Sequence, residues 1–401
     1  MDIEPIRIAP DALEEDRFSR FRLIPWWDQE KIARTRILLI GAGALGNEIL
    51  KNLVLLGFRN VVVVDLDRLE VTNLSRAVLC RRTDVGRLKA EAVAAAALEL
   101  EPELRIQPLA LNIVQAGGVG LFDWCDMAIA GLDNREARLW INRCCWLMNR
   151  PWIDGAIEGI NGVARVFLPG QAPCYECTLG EVDWALLNRR MSCNLLLREA
   201  EPAGKVPTTP TISSIIAGIQ VQEAVKLLHG LPVLASRGYV FEGLNHTSYV
   251  VQYTTNEDCG SHYTIEEVVR LPQRGSGWTL QALHQRACED LASNQVAIEF
   301  SRDVISSLEC PACGETQELF VPVGAVSSTE GLCPRDGQMR IVRTVHGYDG
   351  RDALGARTLD QLGLPPFDLF IARSTSREIG YLIAGDESAV LGPVAREVIS
   401  E

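Results

Sequence analysis

Apolar residues come in short blocks from residue 36 to 76, and their spacing changes from block to block. The uninterrupted run at 37–40 reads as a strand buried on both faces. It leads into GAGALG, with Gly41, Gly43 and Gly46, after which Leu45, Ile49, Leu53 and Leu56 recur at helical spacing. A second apolar run at 61–64 ends in Asp65. Strand, glycine turn, helix and strand make the first βαβ unit of a nucleotide-binding sheet. The glycines let the backbone turn tightly and approach a phosphate. The helix N-terminus offers free N–H groups, and the acid about 20 residues on suits a ribose hydroxyl.

The pattern continues with an alanine-rich helix at 88–100, a strand at 104–110, a strand at 127–130 and a helix at 138–148 holding Cys144 and Cys145 as core fillers. Small and apolar residues alternate through 152–170 as paired strands do. A low-regularity segment at 178–210 precedes an apolar helix at 211–229, which Gln220, Gln222, Glu223 and Lys226 interrupt, and a strand pair at 239–253. Beyond 263 the chain predicts a helix at 278–292, a strand at 296–300 and paired strands at 368–373 and 378–385. The fold class is α/β, a Rossmann-like domain with a mostly parallel sheet at 1–262. A smaller α+β domain at 263–401 carries a zinc-ribbon-like insert at 308–340.

At 401 residues the chain has room for both domains. Its net charge of −13 argues against a nucleic-acid partner. No apolar stretch reaches a membrane span, and residues 1–10 lack the pattern of a signal peptide, so a cytoplasmic location is expected. In that compartment the 12 cysteines are expected as thiols, metal ligands or a nucleophile instead of a disulfide framework.

Asp65 is followed by Asp67, Asn73, Arg76 and Lys89. Two cations and an amide close behind a glycine turn suit a triphosphate better than a nicotinamide dinucleotide, whose pyrophosphate is served mainly by backbone N–H groups. Asp133 follows the strand at 127–130, at the carboxyl end where open α/β sheets bind ligands, and fits a magnesium ligand facing phosphates.

In these residues the chain resembles the ThiF/MoeB and ubiquitin-activating-enzyme superfamily, over roughly 17–230 and again 239–262. The resemblance implies adenylation of the C-terminal carboxylate of a small ubiquitin-like protein with MgATP. It implies ATP held by the glycine turn, Asp65 and Asp67, phosphates bound by Asn73, Arg76 and Lys89, and magnesium bound by Asp133. Ser75 and Ala77 stand where the family carries Asn and Gln. The segment around Arg20 reads by itself as a solvated amphipathic helix. The resemblance instead gives Arg20 to the ATP phosphates of a second subunit, and so implies a homodimer.

Three cysteine features complete the picture. Cys174-Tyr-Glu-Cys177 has zinc-knuckle spacing, and the family closes such a site near Cys259 and His262, giving Cys₃His with no open position. The 178–210 segment falls where ubiquitin-activating enzymes carry the thioester cysteine on a crossover loop, which makes Cys193 the nucleophile that hands its cargo to a conjugating enzyme; nearby Arg189 and Arg190 favour a thiolate. Two further turns, Cys310-Pro-Ala-Cys313-Gly and Cys333-Pro-Arg-Asp336-Gly, have the form of zinc-ribbon knuckles. Asp336 is favoured by spacing as fourth ligand, with His346 as the other choice. By its place alone, the C-terminal domain corresponds to the ubiquitin-fold domain that recruits conjugating enzymes. Alternatives within the superfamily are adenylases that load a sulfur carrier, or modify a peptide or tRNA, without a protein thioester. From other classes come an NAD-dependent oxidoreductase and a non-catalytic partner subunit.

Overall fold

A computed structural model of the protein describes residues 16–190, 196 and 207–396. After a short helix α1 (Gln29–Arg34), the chain alternates β1 (Arg36–Ile40), α2 (Ala44–Leu56), β2 (Asn60–Val64), α3 (Lys89–Leu100) and β3 (Arg105–Leu109). Two short helices, α4 (Ile113–Ala116) and α5 (Gly120–Trp124), lead to β4 (Met127–Gly131), α6 (Arg135–Leu147), β5 (Trp152–Glu158) and β6 (Asn161–Phe167). Then come α7 (Glu181–Arg190), α8 (Pro210–Leu228), β7 (Arg237–Glu242) and β8 (Thr247–Gln252). These strands form one eight-stranded sheet in the order β3-β2-β1-β4-β5-β6-β7-β8. It is parallel from β3 to β5 and antiparallel beyond.

Strand order reverses between β1 and β4, so the connections leaving their carboxyl ends diverge and open a crevice there. Alternation along β1 decides which core each residue joins. Ile37 and Leu39 pack under α2, α3 and α8, whereas Leu38 and Ile40 pack on the opposite face with α5 and α6.

The second sheet contains β9 (Val268–Leu271), β10 (Ala297–Glu309), β11 (Thr316–Pro322), β12 (Ile341–Tyr348), β13 (Leu369–Arg373) and β14 (Glu378–Ile383). Its order is β11-β10-β13-β14-β9, with β12 also paired to β10, and helix α9 (Leu280–Asp290) packs on it. The other side is not a free surface. Leu369, Leu382 and Phe367 share one core with Phe122, Trp124 and Ile141 of the first sheet's helices. Asp368, 1% exposed, fastens this seam. It accepts from the Val119 N–H at 2.8 Å and the Ser301 hydroxyl at 2.5 Å, and lies 3.8 Å from Arg302. Arg302 donates to the Val114 and Gly117 carbonyls and lies over the Trp140 ring.

The elements that the apolar pattern predicts are present, but strands β9, β11 and β12, the second half of β10 and helix α7 were not expected. Helix α7 stands inside the segment expected to lack regularity. Its apolar residues give only a weak periodic signal, and tertiary contacts hold it. Trp184 and Leu187 pack on the core, Arg135 pairs with Asp183 at 2.6 Å, and Asp183 accepts from the Gly180 N–H. No helix among the described residues is long and apolar enough to cross a membrane.

Asp368→Ala strips a buried partner from Val119, Ser301 and Arg302 at once, and is expected to cost about 3 kcal/mol in urea unfolding. Because the core is shared, both sheets should melt in one transition in the parent and in the variant. Two separated transitions in the parent protein would contradict a shared core.

Candidate functional site

Three glycines set the backbone at the crevice. Gly41 has φ +96°, and a Cβ there would lie 2.5 Å from the Gly131 carbonyl oxygen. A Cβ on Gly46 would lie 1.8 Å from the Gly41 carbonyl. Both positions therefore exclude side chains, and the turn after β1 touches the end of β4. Gly43 faces open space, so the exposed N-terminus of α2 remains accessible to an anion.

One residue of this turn carries no glycine-like sequence signal. Asn47 is fully buried in α2. Its amide donates to the carbonyls of Ala42 (2.8 Å) and Gly43 (3.0 Å) and accepts from the Leu79 N–H at 3.0 Å. It therefore ties the turn to the loop carrying Asn73 and Arg76. An amide between Leu45 and Ile49, early in the helix, was the one available clue.

Asp65 closes the other side. Its carboxylate accepts from the Ala42 N–H at 2.7 Å and the Asp67 N–H at 2.8 Å. Burial pushes this carboxyl up, against the pull of the Ala42 hydrogen bond and of Lys89. Lys89 pairs with Asp67 at 2.7 Å, so cation, acids and glycine turn form one cluster. Asn73 accepts from the Glu70 N–H and Arg76 donates to the Thr72 carbonyl. Both side chains thus brace their own short turn. Arg20 lies elsewhere. Its neighbour Phe18 lies against Gly57, at the far end of α2. A 13-residue helix is about 20 Å long, so Arg20 belongs to a different region from the turn of its own chain.

Asp133 is exposed beyond β4, and Asn134 caps α6 by accepting from the Ala137 N–H. Beneath it lies a buried charge triad that the sequence pattern did not disclose. Asp154, wholly buried, accepts from Arg138 (2.8 Å) and from Arg165 (2.9 Å). Burial pushes this carboxyl up, but the two guanidinium groups outweigh it and hold it below its usual range. Arg138 also donates to the carbonyls of Leu132 and Gly155, which fixes the peptide next to Asp133. From α8, the buried Gln220 donates to the Ala130 carbonyl at 2.8 Å.

The same sheet positions a four-ligand cluster. Sγ of Cys174 lies 3.8 Å from that of Cys177 and 3.6 Å from that of Cys259, and Cys177 lies 3.4 Å from His262 Nε2. A tetrahedral zinc with bonds of about 2.3 Å to sulfur has ligand edges of about 3.8 Å, so the donor set fits. It does not fit disulfides, whose sulfurs bond at about 2 Å. Burial pushes the Cys259 thiol up, and a cation in the cluster is what allows such thiols to ionise. Asn142 on α6 accepts from the Tyr175 N–H, and Trp146 stacks on His262 at 4.5 Å between ring centroids. A second cluster joins Cys310, Cys313, Cys333 and Asp336, all ligand atoms within 4.8 Å of one another. Asp336 joins it, with Oδ2 at 3.3 Å from Cys310 Sγ, while His346 stands on β12 outside it. Cys193, with Arg189 and Arg190 as side chains, lies outside the described residues.

Asp154→Asn leaves two buried guanidinium groups without their counter-charge and is expected to cost about 3–5 kcal/mol. The sign with pH follows from a carboxyl held low in the fold: its contribution is complete above the ordinary carboxylate range and is lost as pH falls through the folded value. Stability curves from pH 3 to 7 should therefore be flatter for Asp154→Asn on the acid side. A variant whose acid limb matches the parent would show that the triad does not act this way.

Comparison with known proteins agrees with this geometry. Residues 16–261 match the ThiF family. The NEDD8-activating enzyme E1 catalytic subunit of Arabidopsis thaliana is 42% identical over 157 residues, which are 36% of this chain and 34% of that protein. The SUMO-activating enzyme subunit uba-2 of Caenorhabditis elegans is 38% identical over 157 residues, covering 38% of this chain and 27% of that one. The chain thus matches about a third of the length of these curated relatives. Among solved structures, E. coli MccB with ATP superposes with a TM-score of 0.52 at 21% identity, covering 62% of this chain and 75% of MccB, a likeness of fold. With the family match over residues 16–261 spanning well over half its length, the chain belongs to the ThiF family.

Proposed function

We propose that this protein uses MgATP to adenylate the C-terminal carboxylate of a ubiquitin-like protein and then takes the acyl group onto Cys193 as a thioester. The carrying observation is the convergence of four features at the β1/β4 crevice: the glycine turn with its open α2 N-terminus, Asp65, the Lys89–Asp67 pair, and Asp133. On this reading Asp65 and Asp67 hold the ribose side of ATP, and Asn73, Arg76 and Lys89 bind its phosphates. The identity to NEDD8- and SUMO-activating subunits supports a ubiquitin-like substrate and delivery to a conjugating enzyme.

The chemistry follows from charge. The substrate carboxylate attacks the α-phosphorus, pyrophosphate departs, and an acyl-adenylate forms. Negative charge grows on the phosphates, and fixed cations placed there in advance lower the barrier. Lys89 and Arg76 supply them from this chain. Arg20 of a second copy supplies another, which its distance from its own turn supports and which makes a homodimer part of the proposal. Magnesium bound through Asp133 would add charge neutralisation at the phosphates. The Cys193 thiolate then attacks the mixed anhydride, AMP leaves, and the thioester keeps the acyl group activated. Zinc in the Cys174, Cys177, Cys259 and His262 cluster is structural, because four protein ligands leave no site for water. Residues 1–262 form the adenylating unit on this reading, and residues 263–401, with the 308–340 insert, form the unit that meets the conjugating enzyme.

The rival within the family adenylates a peptide or sulfur carrier without a protein thioester, and the superposition on MccB is the observation on its side. Asp133→Ala is expected to lower ATP–pyrophosphate exchange by about 100-fold or more, the scale of losing one charge-stabilising group. Cys193→Ala should retain exchange while losing the reductant-sensitive adduct with the ubiquitin-like protein on non-reducing gels. An adduct formed equally by Cys193→Ala would take Cys193 out of the mechanism, exchange without any adduct in the parent would favour the rival, and calorimetry showing no ATP binding would end the adenylation reading itself.

A further inference from the structure

The second cysteine cluster stands close to the seat of Leu196. Leu196, three residues beyond Cys193, is fully buried in a small apolar core with Ile305, Leu308 and Val326. Its partners in this core come from the C-terminal sheet and its insert. Gly331 forms one wall of the seat, and a Cβ added there would lie 2.2 Å from the Leu196 methyl group Cδ1. Leu308 forms another.

Each of these walls ends, two residues later, in a cluster cysteine: Leu308 precedes Cys310 and Gly331 precedes Cys333. Both knuckles are closed by their own backbone, Gly314 N–H to Cys310 carbonyl and Gly337 N–H to Cys333 carbonyl, at glycines with φ near +70°. Buried Arg340 braces the second wall by donating to the Glu330 carbonyl. Between the knuckles, Cys313 Sγ stands 3.7 Å from Cys333 Sγ and Asp336 Oδ2 3.3 Å from Cys310 Sγ. Those are edges that a four-coordinate zinc ion spans, with three thiolates and one carboxylate as donors.

We propose that Cys310, Cys313, Cys333 and Asp336 bind a structural zinc ion that clamps the two walls of the Leu196 seat and so holds Leu196 against the C-terminal sheet. The zinc and the seat do not rest on the thioester reading.

The test uses the purified full-length chain with no nucleotide or protein substrate, so its outcome is independent of the activity. Elemental analysis should find two zinc ions per chain, and Cys313→Ser, at an exposed ligand, should lose one. Hydrogen–deuterium exchange of the peptide containing Leu196 should then rise about tenfold or more, as local opening becomes easier. Gly331→Ala should raise the same exchange while keeping both zinc ions, and it serves if Cys313→Ser does not fold. A single zinc in the parent would overturn the site. Unchanged exchange in a Cys313→Ser protein that has lost one zinc would overturn the clamp, and unchanged exchange in Gly331→Ala would overturn the seat.

Discussion

Backbone touches backbone where Gly41, Gly46 and Gly131 meet, and the architecture of the crevice depends on that approach. With a Cβ placed 1.8 Å or 2.5 Å from a carbonyl oxygen, α2 could not begin where it does, nor could β4 end beside it. The turn after β1 would then lift away from Asp65, whose carboxylate reaches the Ala42 N–H only because the turn is this tight. Helix α2 would lose the orientation that aims its free N–H groups at an incoming phosphate.

A second layer of constraints holds this geometry against the tension of its own polar groups. Asn47 and Gln220 satisfy main-chain carbonyls at the turn and at β4 from the buried faces of their helices. The Arg138–Asp154–Arg165 triad joins α6 to β5 and β6 and fixes the Leu132 carbonyl next to Asp133. Such buried charges are tolerable because each is matched; any one alone would be expelled or neutralised. Further along the same face of α6, Asn142 and Trp146 carry this rigidity to the cluster of Cys174, Cys177, Cys259 and His262.

The C-terminal sheet is part of this frame. Phe367, Leu369 and Leu382 complete a core that begins on β1, and Asp368 and Arg302 fasten the seam. Leu196 is seated from the same side, against Ile305, Leu308 and Val326.

Local physics was enough for much of this. The apolar run at 37–40, the glycine turn, Asp65 and the helical recurrence from Leu45 to Leu56 specify strand, turn and helix because their information lies within neighbouring residues. The cysteine knuckles were legible for the same reason: a CxxC turn with flanking proline and glycine converges its sulfurs by itself. What tertiary structure alone decided are pairings between distant residues. Asn47 with Leu79, Arg138 with Asp154 and Gln220 with Ala130 leave no periodic trace, since one polar residue in an apolar element has the same pattern whether it is matched or misplaced. Helix α7 escaped the pattern because its order comes from Arg135 and the core beneath it, not from its own spacing. Spacing favoured Asp336 over His346, and three-dimensional reach agrees. The chain itself determined a glycine turn at a helix N-terminus and two groups of converging thiols; folding decided which distant charges, amides and walls hold them in place.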